Sequence, residues 1–216
     1  RIGRPAAVFA FARQTDGKVL LSGRFSHVNN VATPGVLDLV RLNADGSTDS
    51  TFSADVSSDQ ISTIALQPDG KIVLCGGFTV SGSNFGVIRL NSDGSRDSSF
   101  HPIYGAGIAG FAVDRGGYIY EVPAQASPVN GRYAPDGTLD PSFQAATSLV
   151  GLQSITPLTD GSVLLVLKNN SGNFSITRLL HSGAVDPGFA TLQLSATDAA
   201  VVALPDGSAA VISRTS

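Results

Sequence analysis

Apolar positions along this chain fall in short blocks divided by Gly-, Asp-, Asn- and Ser-rich punctuation. The blocks Val19-Leu20-Leu21 and Ile72-Val73-Leu74-Cys75 are nearly continuous apolar runs, not strict alternations. Strands of that composition are covered on both faces. The 24 Gly and many Ser, Thr and Asn favour turns and short strands over helices.

Two punctuation motifs alternate. The first reads Gln14-Thr15-Asp16-Gly17-Lys18, then Gln67-Pro68-Asp69-Gly70-Lys71. It degrades to Asp114-Arg115-Gly116-Gly117-Tyr118 and returns as Leu158-Thr159-Asp160-Gly161-Ser162 and Leu204-Pro205-Asp206-Gly207-Ser208. The second reads Arg41-Leu42-Asn43-Ala44-Asp45-Gly46-Ser47-Thr48-Asp49-Ser50-Thr51-Phe52, and returns from Arg89, Arg132 and, weakened, Arg178. Those arginines recur at intervals of 48, 43 and 46 residues, the range of a four-stranded propeller blade.

The turns set the register. A three-residue loop ending in Gly suits a type I turn followed by a left-handed residue, forming a G1 bulge. With that loop Ile64 faces Leu74, Leu66 faces Ile72, and Arg41 lies across from Asp49. The pairs Arg41/Asp49, Arg89/Asp97, Arg132/Asp140 and Arg178/Asp186 then read as cross-strand ion pairs of modest worth, ahead of ligand-binding charges. Phe52, Phe100, Phe143 and Phe189 are expected in equivalent, largely buried positions between blades.

These features predict an all-β chain of antiparallel four-stranded β-propeller blades, about four and a half repeats in a single domain over 1–216. A flat β-solenoid is the alternative. The repeats span roughly 7–60, 61–107, 108–150 and 151–197, with 198–216 supplying one further hairpin. Because strands alternate direction, both Asp-Gly turns of a blade belong at one end and the variable loops at the other. The ragged end and the lack of an initiator Met fit a segment of a longer array, whose remaining blades would be its partners.

The two motifs, above all Gln67-Pro68-Asp69-Gly70-Lys71 with the twelve-residue run from Arg89, resemble the bacterial delta-sixty repeat family. That resemblance implies a propeller-like repeat of large, secreted or surface proteins. It brings no catalytic residues with it.

Composition narrows the chemistry. A net charge of −3 without a Lys/Arg cluster argues against nucleic acid and anionic membranes. No apolar run approaches the roughly 20 residues of a membrane-spanning helix. The single cysteine, Cys75, excludes an internal disulfide and reads as a buried small hydrophobe.

Asn43, Asp45 and Asp49, with Asn91, Asp93 and Asp97, echo part of a calcium loop, but Arg41 and Arg89 stand where a leading Asp would be. No metal or other cofactor is therefore expected. His27, His101 and His181 read as loop or surface residues, Ser81-Gly82-Ser83 has no identifiable base, and Gly105-Ala106-Gly107 lacks the helix of a phosphate loop. The sequence thus predicts a non-enzymatic structural or binding module, extracellular or at the cell surface. Its protein or glycan partner would meet loops 26–35, 79–86, 123–131 and 168–173. A glycan hydrolase or lyase with an Asp-based central site and an assembly-only scaffold are the alternatives.

Overall fold

A computed structural model describes residues 7–25, 27–28, 31–32, 38–56, 58–80, 83–103, 108–123, 131–145, 151–204 and 208–214. Among them every regular element is a strand. The chain divides into two compact units, residues 1–108 and 109–216.

In the first unit β1 (Ala7–Arg13), β2 (Val19–Arg24) and, after the two-residue strands β3 (His27–Val28) and β4 (Val31–Ala32), β5 (Asp38–Leu42) make one antiparallel sheet in the order β1-β2-β5. β6 (Ser58–Leu66), β7 (Ile72–Val80) and β8 (Ser83–Leu90) make the next. The second unit repeats the plan with β9 (Ile108–Val113), β10 (Ile119–Pro123) and β11 (Arg132–Tyr133). A fuller sheet follows: β12 (Leu152–Pro157), β13 (Val163–Lys168), β14 (Phe174–Leu179) and β15 (Leu192–Leu194). The hairpin of β16 (Asp198–Ala203) and β17 (Ala209–Arg214) comes last. These are up-and-down meanders of propeller blades, not the coils of a solenoid.

Register follows the turns. Ile64 pairs with Leu74 and Leu66 with Ile72, and Asp49 N–H donates to the Arg41 carbonyl at 2.9 Å. In each well-formed Asp-Gly turn the Gly takes positive φ, while the Asp carboxylate accepts the N–H two residues on, as Asp45 does from Ser47 at 2.9 Å. Repeat three, which lacks that Asp, solves the problem differently. Asp114, two positions earlier in the turn, accepts the N–H groups of both Gly116 and Tyr118.

The fourth strand of each blade is short for a visible reason. It leaves the second turn as single bridges, Leu42↔Thr48, Leu90↔Arg96, Tyr133↔Leu139 and Leu179↔Val185. The Asp of the ion pair then breaks it with a side-chain-capped turn. It resumes on the same edge at Val87↔Ile103 in blade two and as β15 in blade four.

The apolar runs are buried on both faces because sheets stack on either side. In β13, Val163 and Leu165 pack with Tyr120 and Phe143 of the preceding blade and with Leu152 of their own. Leu164 and Val166 face the following hairpin, against Ala199 and Val201. In the first unit Leu20 of blade one joins Ile61, Ile64, Leu74 and Ile88 of blade two. Each such side chain contributes about 1.5–3 kcal/mol. Phe100 and Phe143 are buried as expected. Phe52 and Phe189 are half-buried, each packed between its own blade and the next.

Two glycines in equivalent turns test this stacking. Gly46 and Gly94 both have positive φ, but a Cβ on Gly46 meets nothing within 4 Å, whereas on Gly94 it would sit 2.5 Å from the Ser53 carbonyl oxygen of blade one. Gly46→Ala should therefore cost only the backbone penalty of about 1–2 kcal/mol. Gly94→Ala should cost clearly more in urea unfolding, and equal losses would mean that the blades do not meet at this turn.

Candidate functional site

Each blade gathers a cluster of partners around the arginine of its second motif. Arg132 is fully buried. Its Nε donates to Asp140 at 2.8 Å and its Nη2 to Ser142 Oγ at 3.2 Å. Its plane lies 4.7 Å from the ring centres of both Tyr118 and Phe143. Arg41 and Arg89 repeat the plan with Asp49 and Asp97, both at 2.8 Å, over Phe52 and Phe100.

The expected cross-strand pairs are present, and in three of the four copies they lie out of solvent. Arg41, Arg89 and Arg132 and their aspartates are all buried. The aromatic ring covers one side, and in blades one and three the next blade covers another. Arg41 Nη1 donates to the Ser92 carbonyl at 2.5 Å, and Arg132 Nη1 to the His181 carbonyl at 2.7 Å. Only Arg178 stays partly open, with Asp186 at 3.4 Å.

Lysine and tyrosine complete these nodes, and the sequence reading missed them. Lys18 and Lys71, directly after the Gly of the first turn, reach Asp49 and Asp97 at 2.8 Å. At the same position Tyr118 stacks on Arg132 in blade three, and Ser162 accepts from Arg178 in blade four. The signal was present in the shared Asp-Gly-Lys of repeats one and two. The Lys18 ammonium, with Thr51 and Arg41, holds the Asp49 carboxyl well below the usual carboxylate range. At Asp97 and Asp140 burial pushes the other way, but hydrogen bonds from Lys71 and Ser99, and from Ser142 and Arg132, outweigh it.

The calcium-loop oxygens are spent inside their own turns. Asp45 Oδ1 accepts Ser47 N–H and O–H, Asn43 donates its amide to Ser47, and Asp49 faces two cations. That donor set repels a further cation. Among the described residues no three His, Cys, Asp or Glu converge as a metal site. Cys75 is buried in β7. His101 is exposed, and His181 lies edge-on to Tyr118 with Nδ1 3.3 Å from Arg132 Nη1. Glu121, the sole Glu, sits where blades two and four carry Leu74 and Leu165. Burial raises its carboxyl pKa, and it accepts the Tyr133 hydroxyl at 2.9 Å.

Of the loops expected to bind a partner, 26–35, 79–86 and 123–131 lie partly or largely outside the described residues. Loop 168–173 is a closed turn, with Asn169 Oδ1 accepting the Ser171 and Asn173 N–H groups. A cleft opens at the other end of the blades in the second unit. It has a volume of about 310 Å³ and is lined by Val113, Pro157 and Ala203, the last residues of β9, β12 and β16, with the turn residues that follow them. Leu158 forms its buried floor, and Arg115, Thr159 and Leu204 its exposed rim. The carboxylate of Asp114 is turned away into its own turn and the Tyr120 hydroxyl.

The sequence matches the family model of a β-propeller domain of unknown function, DUF5122, over residues 14–52 and 67–100. No curated protein matches it. Similar solved structures include virginiamycin B lyase from Staphylococcus aureus, at 14% identity and TM-score 0.61, covering 96% of this chain and 64% of the lyase. A gluconolactonase candidate matches at 12% identity and TM-score 0.56, covering 95% of this chain and 70% of its own. The extracellular domain of a candidate hybrid two-component system from B. thetaiotaomicron matches at 12% and 0.52, covering 98% of this chain and 31% of its own. The chain therefore spans less than two thirds of the lyase it resembles. At these identities the shared property is the fold, a β-propeller.

The nodes predict a graded response to arginine removal. Arg89→Ala leaves Asp97 with Lys71 and should cost about 3 kcal/mol. Arg132→Ala leaves the buried Asp140 without a cation, answered only by Ser142, and should approach about 5 kcal/mol. Because the aspartates have depressed folded pKa values, their stabilisation is complete above the ordinary carboxylate value of about 4 and is lost as pH falls through the folded values. Urea titrations at pH 7 and pH 3 check both. Equal costs for the two variants, or no loss of stability in acid, would contradict the assignment.

Proposed function

We propose that this β-propeller chain is a non-catalytic binding module of a secreted or cell-surface protein, taking its ligand in the cleft at the Asp-Gly end of the second unit. The carrying observation is the chemistry of that cleft. Val113, Pro157, Leu158, Ala203 and Leu204 give it apolar walls, Arg115 and Thr159 offer polar contacts at its rim, and its one acid is committed to a turn. A cleft near 300 Å³ with apolar walls and few polar groups suits a small ligand, a sugar ring or a protruding peptide side chain.

Two further points support the reading. The aspartates of the Asp-Gly turns and of the arginine pairs serve architecture, which removes the paired carboxylates that glycan cleavage requires. One similar structure is itself an extracellular domain, in keeping with the secreted or surface setting implied by the delta-sixty resemblance.

A glycan and peptide array followed by titration tests the proposal. A ligand found there should lose affinity by roughly tenfold on Arg115→Ala or Leu204→Glu, with the melting temperature unchanged, since both residues are exposed. Turnover of a lactone or glycan by the purified chain, abolished by Asp114→Asn, would overturn it in favour of an enzyme.

A further inference from the structure

Seven turns of the chain carry Asp-Gly, and all but Asp206-Gly207 lie within the described residues. The link has a reactivity of its own, because a glycine nitrogen carries no Cβ beside it to obstruct ring closure onto the Asp side-chain carboxyl carbon. In a folded turn two things oppose that closure. One is whatever holds the carboxyl group in place, and the other is whatever fills the space around the glycine.

The turns differ in both. In four of them the Asp carboxylate accepts both the N–H and the hydroxyl of the residue two positions on. Asp45 takes Ser47 at 2.9 and 2.7 Å, and Asp93 takes Ser95 at 2.9 and 2.7 Å. Asp136 takes Thr138 at 3.0 and 2.7 Å, and Asp160 takes Ser162 at 3.0 and 2.6 Å. In the first turns of blades one and two a lysine stands at that position and offers no hydroxyl. Asp16 holds the Lys18 N–H at 3.1 Å and Asp69 the Lys71 N–H at 3.0 Å, while both ammonium groups are drawn away to Asp49 and Asp97.

Surroundings separate the turns further. Asp93-Gly94 is pinned by blade one, whose Ser53 and Asp55 N–H donate to the Asp93 and Gly94 carbonyls at 3.2 and 3.0 Å. A Cβ on Gly70 would meet nothing within 4 Å, and Gly46 is equally open. Asp69-Gly70 and Asp45-Gly46 thus share an open glycine and differ in the hydroxyl cap.

We propose that Asp69-Gly70, with its blade-one counterpart Asp16-Gly17, is a site of spontaneous covalent modification that rearranges through a cyclic imide to an isoaspartyl link ahead of the hydroxyl-capped turns. The Gly70 nitrogen bonds to Cγ of the protonated Asp69 side chain and releases its proton. The carboxyl hydroxyl takes that proton and leaves as water. A second water opens the ring at the Asp69 main-chain carbonyl. The mass is restored, but the main chain now runs through the former side chain and is one methylene longer. The consequence reaches the arginine node. Lys71 meets Asp97 at 2.8 Å from a loop closed by Gln67 N–H on the Lys71 carbonyl and Gly70 N–H on the Gln67 carbonyl, both at 2.9 Å. An added methylene inside that loop breaks its closure and draws Lys71 off Asp97, leaving Arg89 as the cation that remains.

The test ages the intact protein in mildly acidic buffer, digests it and maps isoaspartyl against aspartyl peptides by electron-transfer fragmentation. The same chain aged in urea gives the intrinsic rate at each link, so that every folded rate is read as a ratio to its unfolded one. That ratio is expected to be roughly threefold to tenfold higher at Asp69 and Asp16 than at Asp45, the worth of one hydroxyl hydrogen bond. Ser47→Ala, in an exposed turn, should raise the ratio at Asp45 to that at Asp69. Equal ratios at Asp45 and Asp69 in the native sequence, or an unchanged ratio at Asp45 in Ser47→Ala, would overturn the proposal.

Discussion

A guanidinium can be buried only if its charge and its N–H donors are answered inside the protein, and the arginines of the second motif are built around that requirement. Arg132 shows the complete solution. One aspartate neutralises it, a serine hydroxyl and a carbonyl of the next blade take further donors, and two rings cover its faces. The partners come from three places: the opposite arm of the hairpin, the broken fourth strand and the neighbouring sheet. Satisfying one side chain therefore fixes the hairpin register, the course of the fourth strand and the approach of the next blade.

The differences among repeats read as alternative ways of meeting that demand. Lys18 and Lys71 add positive charge, and Asp49 and Asp97 answer it with deeply depressed pKa values. Blade three has no lysine at that position and uses Tyr118, with Tyr120 buried beside it and its phenol pushed up to about 12 by that burial. Blade four leaves its arginine partly open and answers it with Ser162, Asp160 and Asp186. Stacking also explains why the core lies between sheets, where β13 and β14 each serve two clusters.

Much of the fold was legible because turn chemistry is local. The three-residue loops fixed the pairing of Ile64 with Leu74 and the opposition of Arg41 and Asp49, and doubly apolar strands announced sheets on both faces. Burial of the ion pairs was not legible in the same way. It depends on a carbonyl some fifty residues away, Ser92 for Arg41 and His181 for Arg132, although a Phe eleven residues after each arginine was a usable hint. The capping role of Asp114 was hidden by the loss of the usual Asp-Gly. The cleft was invisible because Val113, Pro157 and Ala203 are unremarkable residues that become neighbours only when three first strands end side by side.

For function, the proposal places recognition at the apolar cleft, because the carboxylates of the described turns and ion pairs are engaged in the architecture. Everything rests on the arginine acting between blades rather than only within its hairpin. The most direct measurement is native-state amide hydrogen exchange in an Arg41→Lys variant. Lysine can keep the Asp49 pair but cannot also reach the Ser92 carbonyl in the same geometry. The account predicts faster exchange at Ser53 and Asp55, whose acceptors lie in blade two, with Asp49 N–H still protected by the Arg41-position carbonyl. Unchanged exchange at Ser53 and Asp55 would contradict it and reduce the arginine to a pin within one hairpin.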